Sequence, residues 1–258
     1  MHKINTPFLP LPVSNVGFGA YQIGREASEK YASFGKPLPS DIDAESILNG
    51  VLDLGITIID TAPAYGCSET RIGTFLQNRR DEYNLCTKVG ELTVNGKCTF
   101  DFTDAGMRKS VENSLRTLKT DCVDILLIHA PPDDLSILHE TDAIETMLSF
   151  KKEGKTRSIG FSGKTIQAQE EALVWSDVMM IEYSVANQSN ESIIKQANEK
   201  NNLVLVKKAM NSGHLLGHDA IEFLIKKSPL CDALHCTVIG STSLERMNKN
   251  VESFTRLG

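Results

Sequence analysis

The sequence predicts one closed barrel of eight parallel strands, each followed by a helix, and three observations carry that expectation. Its 258 residues match the length of a single α/β barrel, which runs to roughly 250. Short β-branched apolar runs alternate with longer amphipathic stretches from Ile42 to the C-terminus. Four residues with chemical capacity, Asp60, Tyr65, Lys88 and His129, each stand where an apolar run gives way to a loop. In a parallel barrel those strand ends share one face, the face on which active sites are built.

Strands are expected near Val16–Phe18, Thr57–Ile59, Leu85–Thr87, Ile125–Ile128, Ser158–Ile159, Val178–Ile181, Leu203–Val206 and Thr237–Ile239. Most are continuous apolar runs, the mark of strands covered on both faces. Between them, Ala44, Ile47, Leu48, Val51 and Leu52 recur at helical spacing, as do Met107, Val111, Leu115 and Leu118, and then Leu244, Met247, Val251 and Phe254. Packing a helix on the sheet accounts for each stripe. Ser40 or Asp41 after Pro39 starts the first of these helices and Gly55 follows its end. Arg25 to Pro39 interrupts the alternation and reads as a loop on the catalytic face, either shaping a substrate pocket or merely solvated. One domain spans residues 1–258, and with every stripe assigned to barrel packing a monomer is expected.

Composition narrows the partners. A formal net charge of -6 with scattered Lys and Arg argues against nucleic acid. No segment approaches the roughly 20 apolar residues of a membrane span, and the N-terminus lacks the apolar run of a signal peptide, so no membrane role and a cytoplasmic location are expected. Six cysteines without a CxxC pair suggest neither a disulfide framework nor a zinc knuckle. Cys231, His235 and Cys236 crowd together without a fourth ligand nearby, so no metal site is expected.

The four strand-end residues form a proton-donating set. Reducing a carbonyl needs a hydride on carbon and a proton for oxygen, and a cofactor supplies the first. A phenol has an ordinary pKa of about 10, too high for easy donation near neutrality. Lys88 beside the Tyr65 hydroxyl is expected to lower it, with Asp60 holding the ammonium and His129 orienting the carbonyl. Singly, each has an ordinary alternative: a turn cap, a packed ring, a solvated strand end, a loop histidine.

The stretch from Gly55 to Gly73, reading GITIIDTAPAYGCSETRIG, resembles the signature of the aldo-keto reductases. It is joined in the family's order by Leu85–Lys88, Asp124–His129 and Gly154–Ser162, and the resemblance runs from about Leu11 to Phe254. It implies a (β/α)8 barrel preceded by a short N-terminal hairpin. It also implies reversible reduction of a small aldehyde, ketone or sugar by NADPH, with NADH possible and no metal. Tyr65 would be the acid, Lys88 and Asp60 its tuning pair, and His129 the orienting residue. Tyr21 would line the substrate pocket in place of a Trp. Ser162, Gly240, Ser241 and Thr242 would contact the cofactor, with Ser241, Arg246 and Asn250 at its adenosine phosphate and adenine. The alternative for Arg246 is a solvated helix position.

The chain departs from that family at three places. Gly163 replaces a carboxamide-binding Asn, Met180 replaces a Gln, and Lys207-Lys208-Ala209 replaces an aromatic-Ser-Pro turn. These changes are expected to weaken or redirect nicotinamide binding without abolishing it. One of Lys207 and Lys208 would point inward, making a cationic pocket for an anionic substrate or the pyrophosphate; the alternative is a solvated pair. Two other functions stay open: a nicotinamide-binding regulatory or scaffold subunit, and a sugar or alcohol dehydrogenase working oxidatively. The last helix runs almost to Gly258 without the long tail of many relatives, from which an open, permissive site is expected.

Overall fold

A computed structural model describes residues 1–25, 38–210 and 217–257. Eight parallel strands close into the expected barrel: β3 (Val16–Gly19), β4 (Ile58–Asp60), β5 (Asn84–Val89), β8 (Val123–His129), β9 (Thr156–Ser162), β10 (Val178–Glu182), β11 (Leu203–Lys207) and β12 (Cys236–Ile239). Around the ring the order is β10-β11-β12-β3-β4-β5-β8-β9, the sequential winding of repeated βα units. A short antiparallel hairpin, β1 (Lys3–Ile4) and β2 (Val13–Ser14), precedes it. All eight expected strands are present, most extended by a residue or two at their ends.

Outside lie α1 (Asp41–Asp53), α2 (Ser68–Phe75), α3 (Asp104–Leu118), α4 (Leu135–Glu140), α5 (Ala143–Lys152), α6 (Ile166–Ala172), α7 (Glu191–Glu199), α8 (Gly217–Glu222) and α9 (Leu244–Leu257). Ser40 caps α1 by accepting the Asp43 amide at 3.2 Å. The stripe that follows, Ala44 to Leu52, is buried against the sheet. Thr103 and Thr165 cap α3 and α6 in the same way. Among the described residues no helix is long and apolar enough to cross a membrane.

Inside the barrel, Ile58, Cys86, Ile125, Leu127, Val178, Met180, Leu203, Leu205 and Cys236 form a separate apolar core, closed at the hairpin end by Val13. Strand alternation then dictates what lies above it. Two residues past Ile58, Cys86, Leu127, Met180 and Leu205 come Asp60, Lys88, His129, Glu182 and Lys207. The mouth is therefore a polar layer standing directly on an apolar one.

One element was not expected. Glu91–Val94 (β6) and Lys97–Phe100 (β7) form an antiparallel hairpin between β5 and α3, turning at Asn95 (φ 50°) and Gly96 (φ 76°). Asn-Gly is the residue pair that a two-residue turn with positive φ at both positions prefers. Most of the expected Arg25–Pro39 loop, residues 26–37, lies outside the described residues, as does 211–216 after β11. His235 accepts the Val204 amide at 2.9 Å, and Cys236 is buried in the barrel core.

Candidate active site

Asp60 and Lys88 are the final inward positions of neighbouring strands, and both are buried. Lys88 Nζ donates to Asp60 Oδ1 at 2.6 Å and to the Thr61 carbonyl at 2.7 Å. Burial alone would lower the Lys88 pKa, but the Asp60 carboxylate outweighs it, so the ammonium is held charged. The same Nζ lies 4.7 Å from the centre of the Tyr65 ring.

Tyr65 is not on a strand, so its loop has to be pinned. The Thr61 amide donates to the Cys86 carbonyl at 2.8 Å, the Tyr65 amide to Ala62 at 3.0 Å, and the Cys67 amide to Gly24 at 2.9 Å. Ser68 and Thr61 share a hydroxyl hydrogen bond at 2.8 Å, and Ser68 reaches the Ala20 carbonyl at 3.0 Å. Behind this loop, buried Glu69 accepts from Thr87 at 2.6 Å and from Ser114 at 3.1 Å, tying α2 to β5 and α3. The carboxyl in the signature stretch thus locks the scaffold that carries Tyr65.

The Tyr65 pKa runs against the sequence expectation. Burial pushes it up to about 12, and Lys88, which pulls it down by charge and hydrogen bond, offsets only part of that rise. Without a bound carbonyl the phenol is therefore protonated near neutrality. Tyr21 meets Tyr65 edge-on at 5.1 Å between ring centres, and His129 meets it edge-on from another side at 6.0 Å. The Arg25 guanidinium lies 5.4 Å above the Tyr21 ring.

His129 has a neighbour that sequence reasoning missed. Glu91, fully buried at the start of the β6–β7 hairpin, places Oε2 at 3.1 Å from His129 Nδ1. A carboxylate at that distance favours a proton on Nδ1 and leaves Nε2 as the acceptor side of the ring. The Asn95-Gly96 pair was the available signal, since it predicts the hairpin that carries Glu91 beside β8.

The other half of the mouth holds the departures. Lys207 points inward and donates to Ser162 Oγ at 2.9 Å and to the Gly163 carbonyl at 3.1 Å. Lys208 turns away and pairs with Glu182 at 2.6 Å, so only one of the two lysines enters the barrel, as alternation requires. Gly163 has a packing reason: a Cβ there would press into the Phe161 ring and the Gln169 side chain. Asp134, fully buried, fixes this turn by accepting the Lys164 amide at 2.6 Å, the Thr165 amide at 2.9 Å and the Thr165 hydroxyl at 2.7 Å. Met180 lies in the apolar layer beneath, 2% exposed.

At the neighbouring strand end, Gly240, Ser241 and Thr242 lead from β12 into α9. Ser241 is folded into the turn through the amide and carbonyl of Ser243, each at 3.0 Å. Arg246 is exposed and reaches Thr242 Oγ1 at 3.3 Å, and Asn250 follows one turn later on the same face. A helix N-terminus, hydroxyls and a guanidinium together suit a phosphate.

With this geometry the comparisons agree. The profile described as the Aldo/keto reductase family matches residues 15–222. The chain belongs to the aldo-keto reductase family. Among curated relatives of this aldo-keto reductase, L-galactose dehydrogenase of Arabidopsis thaliana is 38% identical over 59% of the chain and 46% of the relative. D-threo-aldose 1-dehydrogenase of a Pseudomonas species is 30% identical over 66% of the chain and 56% of the relative. The chain thus spans about half the length of the curated relatives it matches. A solved structure from Pseudomonas aeruginosa, described as a candidate aldo-keto reductase, superposes with a TM-score of 0.86 at 32% identity, covering 98% of this chain and 94% of that one.

Proposed function

We propose that the protein is a nicotinamide-dependent oxidoreductase that interconverts a small aldehyde, ketone or sugar carbonyl with its alcohol, Tyr65 exchanging the proton. The observation that carries this reading is the buried Asp60–Lys88 pair at 2.6 Å beside the Tyr65 ring, which places a charged ammonium next to a phenol. A paired ammonium that stays charged stabilises the phenolate as the proton leaves, which lowers the barrier to donation. His129, steadied by Glu91, orients the carbonyl oxygen towards Tyr65, and Tyr21 forms the adjoining wall of the pocket.

The residues present fit a nicotinamide nucleotide. The turn into α9 with Gly240, Ser241, Thr242 and Arg246 suits a phosphorylated adenosine, with Asn250 beside the base, which favours NADPH over NADH. At the other end, Ser162 and the Lys207 ammonium offer donors where the amides at positions 163 and 180 are missing. When bound, the nicotinamide gives or takes the hydride. Six free cysteines accord with a reducing cytoplasm, and we read the chain as a single-domain monomer with no metal, nucleic-acid or membrane partner.

The test is consumption of NADPH and NADH over neutral aldehydes, carboxylated aldehydes and sugars, together with formation of the reduced cofactor from sugars and alcohols. Turnover with NADPH ahead of NADH is the expected result. Tight cofactor binding without turnover in either direction would instead favour a regulatory subunit.

A further inference from the structure

Lys207 sits in the barrel mouth with one carboxylate, Glu182, near enough to act on it by charge but not paired with it. Its hydrogen bonds go to a hydroxyl and a carbonyl, and no ion pair to it occurs among the described residues. The nearby carboxylate, Glu182, is already taken by Lys208 at 2.6 Å. Burial above all, with the charges of Lys164, Lys208 and Lys88, holds its pKa well below the usual lysine value, and the Glu182 carboxylate opposes this only in part. The Ser162 hydroxyl that it contacts pairs in register with His129, so the ammonium stands one strand from the orienting histidine. A cation placed there has a specific consequence for redox chemistry. Hydride can pass only if the nicotinamide ring lies against the carbonyl carbon held by Tyr65 and His129, and that ring is cationic when oxidised and neutral when reduced.

We infer that Lys207, when it carries its proton, discriminates between the two redox states of the cofactor, binding reduced nicotinamide in preference to oxidised and so favouring hydride acceptance from an alcohol. This rests on the nicotinamide reading given above and deepens it by assigning a direction. In that direction the carbinol carbon gives up a hydride with both bonding electrons to the ring, the hydroxyl proton leaves through Tyr65 to solvent, and the carbonyl double bond forms. A nicotinamide ring held beside protonated Lys207 would lose that like-charge repulsion on becoming neutral. The position that loses an aromatic residue gains a charge whose interaction changes as the hydride moves.

The ratio of the dissociation constants of NADP+ and NADPH isolates this effect, because adenosine and phosphate contacts are common to both. The ratio is measured by fluorescence titration of the whole protein at mildly acid pH, where Lys207 carries its proton, then repeated with NAD+ and NADH. The expected result is a ratio about tenfold higher in wild type than in Lys207→Met, with Lys207→Gln behaving like Met and Lys207→Arg like wild type; charge pairs at a half-buried site carry free energies of this order. Equal ratios in wild type and both neutral variants would overturn the inference while leaving the oxidoreductase reading intact. If neither redox state of either cofactor binds wild type, the nicotinamide reading fails and the inference falls with it. Because the two neutral variants differ in polarity, a folding defect in one leaves the other to decide.

Discussion

The mouth of the barrel carries two inward lysines from strands four places apart in the ring of eight, and they live in opposite electrostatic surroundings. Lys88 on β5 is buried with a carboxylate 2.6 Å away, and its pKa is held up. Lys207 on β11 has a hydroxyl and a carbonyl instead, and its pKa is held down. Both project inward for one reason, strand alternation above an apolar layer. What differs is the neighbour that sequence provides: Asp60 for one, while Glu182 is diverted from the other by Lys208. A paired cation can stabilise a phenolate through many turnovers without itself changing, whereas a cation without its own carboxylate responds to the charge of whatever binds. On the function we propose, the same residue type serves proton transfer on one side and redox-state discrimination on the other.

The comparison breaks most severely at Lys88. Lys88→Met strands the Asp60 carboxylate in the barrel, and removal of one partner from a buried pair costs about 3–5 kcal/mol of stability. Urea denaturation should show that loss, and turnover should vanish with it.

Lys207→Met is expected to move stability the other way. In the folded state Lys207 binds its proton less readily than in the unfolded chain, so between its depressed pKa and the ordinary lysine value the unfolded state holds more protons and wild-type stability rises with pH. The methionine variant lacks that dependence. Its margin over wild type, read as the difference in urea midpoints, should be greatest at low pH and shrink as pH climbs towards the ordinary lysine range.

Gly163→Asn introduces the residue that the family resemblance implied at this position, yet here its side chain meets Phe161 and Gln169. Overpacking of this kind costs about 1–3 kcal/mol, so the variant should melt earlier without binding cofactor more tightly. Smallest of all is Lys208→Met. Its pair with Glu182 is half exposed, and loss of such a surface pair should change stability by no more than about 1 kcal/mol. Because Glu182 is then released to act on Lys207, the NADP+ to NADPH ratio should move part of the way from the wild-type value towards that of Lys207→Met.

Much of this was legible in the sequence, because local rules and tertiary structure agree. The apolar runs became the barrel strands, Ser40 capped its helix, and Asp60, Lys88 and His129 converged because each ends a strand of one parallel sheet. Tyr65 joined them through a loop pinned by backbone hydrogen bonds, a convergence implied by the family signature rather than by periodicity. The balance of burial against charge at Tyr65 was not legible, since residue types do not tell how deeply a loop phenol is desolvated. The Glu91 contact with His129 was hidden in a hairpin whose Asn95-Gly96 turn was written in the sequence but lies outside the βα alternation. The division of labour between Lys207 and Lys208 followed from alternation, but the capture of Glu182 by Lys208 needed three-dimensional distances.

The most direct test of the central claim is Tyr65→Phe, which removes one oxygen and leaves the Asp60–Lys88 pair and the pocket in place. Cofactor binding, followed by fluorescence, should be retained, while turnover in either direction should fall by about 10²–10⁴, the contribution of a positioned general acid. A variant that binds cofactor and turns over at the wild-type rate would contradict the assignment of proton transfer to Tyr65 and, with it, the role given to the lysine beside it.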